Sequence, residues 1–403
     1  MVPALLENYR AAMQQELQEI LAWWIEHIID EENGGFYGQI DGNNQVHPQA
    51  PRGGVLNSRI LWAFSAAYNQ TQQEHYLVMA GRAFKYLLAH FIDKEYGGLY
   101  WSVNYKGEPL DTKKQIYASA FAIYGLSEYW KATRNEGARQ AAIDLYRVIE
   151  QYSFDPLGTG YIDAFARNWQ PMDDIRLSEK DANEKKTMNT HLHVLEAYTN
   201  LYQVWGDEEL RHKIVLLIKN FTEHIVNKQT HHLVLFFDEH WNAKGDAVSY
   251  GHDIEAAWLI QEAAEVIEDE DLIRQTRKLA INIAGAAKEG LHTDGGLWYE
   301  YEPSTGHLVT EKHSWPQAEA MVGFMNAYQV SLDESYLQLS YKSWLFVQQY
   351  IKDHQAGEWY WGVAENYQTM AKDKAGLWKC PYHNTRACLE LINRIDWLND
   401  AVL

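Results

Sequence analysis

The chain of 403 residues holds 46% hydrophobic residues and only 9 prolines, a composition for a large globular fold rather than an unstructured one. Its formal charge of −20 excludes the basic surface that nucleic acids and anionic membranes require, so neither is an expected partner. The 16 Trp and 26 Tyr are in excess, and aromatic faces pack well on the apolar face of a sugar ring.

The opening segment from Met1 to Glu7 lacks the basic region and apolar core of a signal peptide, and no apolar run reaches membrane-spanning length. A cytoplasmic protein is therefore expected. Apolar residues then recur at three- and four-residue steps over residues 16–29, 55–68, 76–91, 116–130, 138–152 and 188–204. The same period returns over 210–226, 254–267, 272–287, 316–330, 336–351 and 381–395, which predicts twelve helices. Cys380, at the edge of the last of these, and Cys388, within it, read as one helix would stand about 12 Å apart at ~1.5 Å per residue, too far for a disulfide. Two lone thiols suit a reducing compartment.

A glycine-aromatic signature interrupts the helices, as Gly34-Gly35-Phe36-Tyr37, Gly97-Gly98-Leu99-Tyr100-Trp101, Gly158-Thr159-Gly160-Tyr161, Gly295-Gly296-Leu297-Trp298-Tyr299 and Gly357-Glu358-Trp359-Tyr360-Trp361. A copy without glycine, Leu235-Phe236-Phe237, stands in the one wide gap. Aligned on Tyr37, Tyr100, Tyr161, Phe236, Trp298 and Tyr360, the copies recur about every sixty residues, the mark of a repeat architecture. Two helices per repeat, joined by short glycine-aromatic turns or hairpins, predict an all-α (α/α)6 barrel of six helical hairpins in a single domain over residues 1–403. The even-numbered helices are the more apolar and are expected to form the inner ring, with the charged odd-numbered ones outside.

In such a ring the starts of the inner helices meet at one end. They offer Asn57 and Arg59, Gln115 and Tyr117, Asn189 and His193, His252 and Glu255, Trp315 and Gln317, and Tyr382 and His383. Polar groups converging on one pocket are what a binding or catalytic site needs. His252 and Glu255 are one helical turn apart, so the carboxylate is expected to orient the imidazole or tune its basicity. His383 follows Cys380-Pro381 in a first turn, where the helix dipole disfavours imidazolium and leaves a neutral base. His191 and His193 point about 200° apart and cannot grip one metal, and His231 and His232 read as solvated loop residues. No cysteine-histidine cluster or phosphate-binding glycine loop is present in the sequence, so neither metal nor cofactor is expected.

These motifs resemble the N-acylglucosamine 2-epimerase superfamily, and within it most closely the cellobiose 2-epimerases. The resemblance runs along nearly the whole chain and is carried by Asn57-Ser58-Arg59-Ile60-Leu61-Trp62, Met188-Asn189-Thr190-His191-Leu192-His193, Gly251-His252-Asp253-Ile254-Glu255, Trp315-Pro316-Gln317-Ala318-Glu319 and Trp378-Lys379-Cys380-Pro381-Tyr382-His383. It implies an (α/α)6 barrel in which His383 and His252 are the acid/base pair. Arg59, Tyr117, Asn189, His193, Glu255, Trp315 and Trp378 would bind the sugar or support the histidines. The implied reaction inverts C2 of a reducing-end aldose through a cis-enediolate, which asks for a proton carrier on each face. Arg59 would stabilise the enediolate oxygen and His193 would assist ring opening.

One departure bears on the substrate. Disaccharide enzymes of this family often carry a second tryptophan directly before the position of Trp315, where this chain has Ser314. Loss of that indole favours a monosaccharide such as mannose or glucose, while other aromatics could still serve a cellobiose-type substrate. A mannose-fructose isomerase on the same scaffold is the alternative. From another class, a glycoside hydrolase would recruit Asp163, Asp181, Asp253 or Glu255. A monomer or weak homodimer acting on a small sugar is expected.

Overall fold

The computed structural model describes residues 2–402. Twelve α-helices run through them: α1 (Val2–His27), α2 (Gly54–Thr71), α3 (Glu74–Tyr86), α4 (Ile116–Thr133), α5 (Glu136–Tyr152), α6 (Met188–Tyr202), α7 (Glu208–Asn220), α8 (Tyr250–Val266), α9 (Glu270–Ala287), α10 (Ser314–Ser331), α11 (Glu334–Phe346) and α12 (His383–Val402). Helix α1 begins well before the expected residue 16, because Leu6, Tyr9 and Met13 continue its buried stripe toward the N-terminus. Helices α3, α7 and α11 each end in a π-helical turn that sequence period does not reveal. Cys380 precedes α12 rather than lying within it, and both cysteines are buried and free.

The even-numbered helices are the inner staves, as their composition requires. Every residue of α2 from Gly54 to Ala67 is buried, whereas α5 buries only the stripe Ala138, Ala142, Ile143, Leu145, Tyr146 and Ile149. Helix α2 packs on α4, α4 on α6, α6 on α8, α8 on α10, α10 on α12, and α12 back on α2. The ring is therefore closed. Each inner helix packs on the outer helix that follows it, except that α12 takes α1 as its partner and so joins the two ends of the chain.

Short antiparallel strands stitch one repeat to the next. Strand β1 (Arg52–Gly53) leads into α2 and pairs with β2 (Ser102–Val103), which β3 (Pro109–Asp111) extends. Strand β4 (Lys114–Gln115) pairs with β5 (Ala164–Phe165), and β6 (Lys186–Thr187) with β7 (Phe236–Phe237). Strand β8 (Val248–Ser249) pairs with β9 (Glu300–Glu302), which β10 (His307–Val309) extends, and β11 (Lys312–His313) pairs with β12 (Gly362–Val363). The bridge between Ile40 and Ala375 makes the sixth seam. Five strand pairs thus set the starts of α2, α4, α6, α8 and α10 at one end of the barrel.

The glycine signature marks a residue with positive φ in every repeat: Gly34 (73°), Gly97 (72°), Thr159 (61°), His231 (62°), Gly295 (96°) and Gly357 (76°). Backbone pairing makes Ile162 and Val234, not Tyr161 and Phe236, the equivalents of Tyr37 and Tyr100, so the third and fourth copies are shifted from their sequence alignment. His231 and His232 are the turn itself. In five repeats the turn also carries an acid paired with the cation that starts the next seam: Asp30–Arg52, Asp93–Lys114, Asp155–Lys186, Asp294–Lys312 and Asp353–Lys374. The fourth has Asn227 and Val248 in those places. Both charges are absent together, and no buried charge is left unpaired.

Candidate active site

The inner-helix starts surround a cavity of about 1110 Å³ lined by Arg59, Tyr117, Asn189, His193, His252, Glu255, Ser314, Trp315, Trp378 and His383. Four other residues expected at the helix starts do not line it: Asn57 donates to the Gly53 carbonyl, Gln115 to those of Ile175 and Arg176, Gln317 to those of Leu297 and His313, and the Tyr382 hydroxyl to Glu196. Aligned on the strand seams, Tyr117, Asn189 and Trp315 occupy one equivalent position, and Arg59, His193, Glu255 and Glu319 another a turn deeper.

His252 and His383 each sit at a helix N-terminus, on the staves either side of α10 rather than on opposing ones. Trp315, from the intervening stave, packs on both rings, with centroids 4.7 Å from His252 and 5.5 Å from His383. Gly251 makes this possible: a Cβ there would stand 2.6 Å from the Trp315 indole. Burial pushes both imidazoles well below the ordinary histidine range, helped by neighbouring positive charge, so both are neutral near pH 7. The helix dipole acts in the same direction.

The two rings are held differently. Nδ1 of His383 lies 2.7 Å from Glu319 Oε1. That oxygen also accepts from Arg386 Nη2 at 2.6 Å, while Glu319 Oε2 accepts from the Trp258 indole at 3.2 Å. Both carboxylate oxygens are acceptors, so Nδ1 of His383 carries the proton and Nε2 is free to take one. His252 has no carboxylate partner; its Nδ1 meets the Ser249 hydroxyl at 2.8 Å. Glu255, expected to serve His252, instead accepts from Arg386 Nη2 at 2.7 Å and stands 4.0 Å from Nδ1 of His383. The spacing of three residues was right for contact, but the guanidinium offers two N–H donors and full charge, which an imidazole in the neutral form cannot match.

Arg386 gathers three buried carboxylates, Glu196, Glu255 and Glu319. Glu196 also takes Nδ1 of His193 at 2.9 Å and the Tyr382 hydroxyl. Burial opposes its ionisation, yet Arg386 and His193 hold it at about 2. Burial and repulsion from Glu319 push Glu255 up to about 8. His193 is lowered by burial in spite of Glu196. Arg59 donates to the Tyr117 hydroxyl at 2.8 Å and lies 4.0 Å from the centre of the Phe121 ring, with its Nε unpaired. The amide oxygen of Asn189 is likewise unpaired at the cavity wall. Trp378 leans on Trp101 and Tyr117 at 5.6 and 6.1 Å.

Sequence reading did not single out Arg386, Glu196, Glu319 or Ser249 for these contacts. Arg386 is a lone cation one turn beyond His383, and its importance lies in which three staves it reaches, which spacing along one helix cannot show. His232 is also corrected: it is buried rather than solvated, with Nδ1 2.7 Å from Asp253 Oδ2. Asp253 therefore faces away from the cavity, and Asp163 is spent on Thr187 and Thr190 at the start of α6. Neither acid is available to a hydrolase pair. Glu255, Glu319 and His383 bring ligand atoms within 4.8 Å of one another, close enough for a metal. The Arg386 guanidinium already bonds both carboxylates, so a divalent cation would face a fixed positive charge there.

The family model for N-acylglucosamine 2-epimerase (GlcNAc 2-epimerase) matches residues 34–387. The chain belongs to the N-acylglucosamine 2-epimerase family. A cellobiose 2-epimerase of Bacteroides fragilis is 52% identical over 96% of this chain and 99% of its own. The solved cellobiose 2-epimerase of Bacillus thermoamylovorans superposes with a TM-score of 0.93 at 43% identity, over 96% of this chain and all of that one. A D-mannose isomerase of Marinomonas mediterranea is 22% identical over 95% of the chain and 97% of its own. The protein is a carbohydrate 2-epimerase of this family, built on the (α/α)6 barrel. Among the described residues no helix is long and apolar enough to cross a membrane.

Proposed function

We propose that the protein interconverts C2 epimers at the reducing end of a cellobiose-type disaccharide, with His383 and His252 as the proton carriers. The observation that carries this reading is the pair of imidazoles that share Trp315 and line one cavity. The likeness to cellobiose 2-epimerases over nearly the full chain supports the substrate class.

The sugar ring opens first, with His193, fixed through Nδ1 by Glu196, handling the proton that moves between O5 and O1. Nε2 of His383 then removes the C2 proton, and Glu319 stabilises the imidazolium that forms. The electron pair moves onto the carbonyl oxygen to give a cis-enediolate. Arg59, a permanent cation in the cavity wall, stabilises that charge. The negative charge of the enediolate raises the proton affinity of His252, which takes a proton from solvent, gives it to the opposite face of C2 and is left neutral, while His383 releases the abstracted proton to solvent; the two histidines exchange roles in the reverse direction. Asn189, Tyr117, Trp315 and Trp378 hold the open chain. Protonation at C1 instead of C2 would give the ketose, so aldose-ketose isomerisation is the side reaction this geometry has to suppress.

The test is NMR of the products from cellobiose, mannose and N-acetylglucosamine in D2O. The expected result is 4-O-glucosyl-mannose from cellobiose, with deuterium entering at C2. Release of free glucose, or a ketose as the main product, would overturn the reading.

A further inference from the structure

Beyond the residues around the reacting carbon, the cavity has an outer part with its own chemistry. We infer that Trp361, with Lys372 beside it, is the platform for the sugar ring that does not react, replacing the indole absent at position 314. The inference rests on the disaccharide reading above.

Trp361 is placed by the seam that starts α10. Strands β11 and β12 pair, and the amide of Ser314 donates to the Trp361 carbonyl at 2.8 Å. Trp361 is thus fixed directly beside Ser314, whose other neighbour is the Trp315 that packs on both histidines. Gly362 permits the approach, since a Cβ there would meet the Lys312 carbonyl at 2.7 Å and His313 Cα at 2.8 Å.

The ring carries the marks of a sugar platform. It is half-buried and lines the cavity. Its indole N–H is turned away from solvent, so the ring face rather than the N–H is what it can offer to the cavity. Lys372 Nζ stands over one face of the ring, 5.0 Å from its centre, and lines the same space, so a sugar would stack on the other face. The Glu311 carboxylate, also lining it, is held 2.8 Å from His313 Nε2. An aromatic face with a cationic donor and an anionic acceptor nearby recognises a polyhydroxylated ring and no strongly charged ligand.

The experiment compares kcat/KM for cellobiose and for glucose in wild type, Trp361→Ala, Trp361→Phe and Lys372→Ala. The cellobiose-to-glucose ratio is expected to fall about tenfold in Trp361→Ala, through KM, as loss of one stacking contact implies. Trp361→Phe should recover part of the loss by restoring an aromatic face. Lys372 is exposed, so Lys372→Ala folds, and its ratio should fall a fewfold. Ratios within twofold of wild type in both Trp361→Ala and Lys372→Ala would overturn the subsite while leaving the epimerase reading intact. A wild type that turns over mannose but not cellobiose would overturn the disaccharide reading and the subsite with it.

Discussion

Glu319 Oε1 lies 2.7 Å from Nδ1 of His383 and accepts a second hydrogen bond from Arg386 at 2.6 Å. The pair defines the direction of proton transfer, because a carboxylate behind Nδ1 raises the basicity of Nε2 and compensates the charge gained on protonation. Glu319→Gln keeps the shape and removes that compensation. The expected outcome is a loss in kcat of about 10²-fold or more, in the range of a lost general-base contribution, with KM little changed. Circular dichroism and Tm should stay close to wild type, because Arg386 retains Glu196 and Glu255. A variant with near-normal kcat would show that Glu319 does not act through His383.

Gly251 offers a steric test of the same centre. A methyl group there would press on the Trp315 indole at 2.6 Å and on Pro316 at 2.9 Å, so the ring must leave its place against the two histidines. Gly251→Ala is expected to lower kcat/KM at least about tenfold, since small misplacements in a site are expensive in rate. Stability should fall by no more than about 1–3 kcal/mol, the usual range for overpacking. Kinetics alongside thermal melts separate the two effects.

The barrel was legible because its signals are local and repeated. Apolar period gave twelve helices, and buriedness of alternate helices gave inner and outer rings. The glycines at 34, 97, 295 and 357 reported a backbone need for positive φ. Thr159 meets that need between two glycines and the third copy was still found, though set one residue off; where His231 meets it without any glycine the signal vanished and the fourth copy was set two residues off. Convergence of Arg59, Tyr117, Asn189, His193, His252, Glu255, Trp315 and His383 followed from the ring, while Trp378 and Ser314 came from the family resemblance. The partnership of Glu255 was misread because Arg386 comes from a different stave, and a contact between staves has no spacing in the sequence. The strand seams that set helix starts are only two or three residues long, too short for an alternation to show.

Stability should report His191, which is neutral and fully engaged: the Tyr161 amide donates to its Nε2 at 2.9 Å and Nδ1 donates to the Thr187 carbonyl at 2.7 Å. Burial lowers it from 6.5 to about 4. Its folded pKa is below the unfolded one, so the unfolded chain takes the proton first and this contribution is lost as pH falls from 6.5 toward 4. The loss is about 3 kcal/mol at ~1.4 kcal/mol per unit. Asp163, raised by burial to about 7, acts oppositely over the same window and masks the trend in wild type. The clean readout is the difference in unfolding free energy between wild type and His191→Gln. That gap should narrow by up to about 3 kcal/mol from pH 7 to pH 4 in urea titrations. A gap independent of pH would mean that His191 protonates as easily folded as unfolded.

Chelation tests the role of Arg386 as the cation of the centre. Its guanidinium bonds Glu196, Glu255 and Glu319, and stacks over Trp258 and Tyr382 at 4.8 and 4.3 Å. Activity is expected to survive exhaustive EDTA and to show no gain with added divalent ions. Loss on chelation with recovery by one metal would place an ion among Glu255, Glu319 and His383 in competition with the guanidinium.

Ser314→Trp tests where the second sugar ring finds its surface. The resemblance ties an indole at this position to disaccharide substrates, which would lead one to expect better use of cellobiose in this variant. In the structure Ser314 is only 5% exposed, and its amide is tied to the Trp361 carbonyl, so an indole at 314 cannot sit where the serine side chain does. It has to swing into the outer cavity and cover the face of Trp361. Two indoles then compete for one place, and packing the extra ring is expected to destabilise the fold by about 1–3 kcal/mol. The expected outcome is therefore a lower kcat/KM for cellobiose, with mannose affected less because a single ring need not reach Trp361. The Trp361→Ala and Ser314→Trp double variant sharpens the comparison. If the indole at 314 can take over the platform, cellobiose use should recover in the double variant relative to Trp361→Ala, and the single Ser314→Trp change would be harmful only through the clash. Improved cellobiose use in Ser314→Trp alone would show instead that Trp361 leaves the outer subsite incomplete.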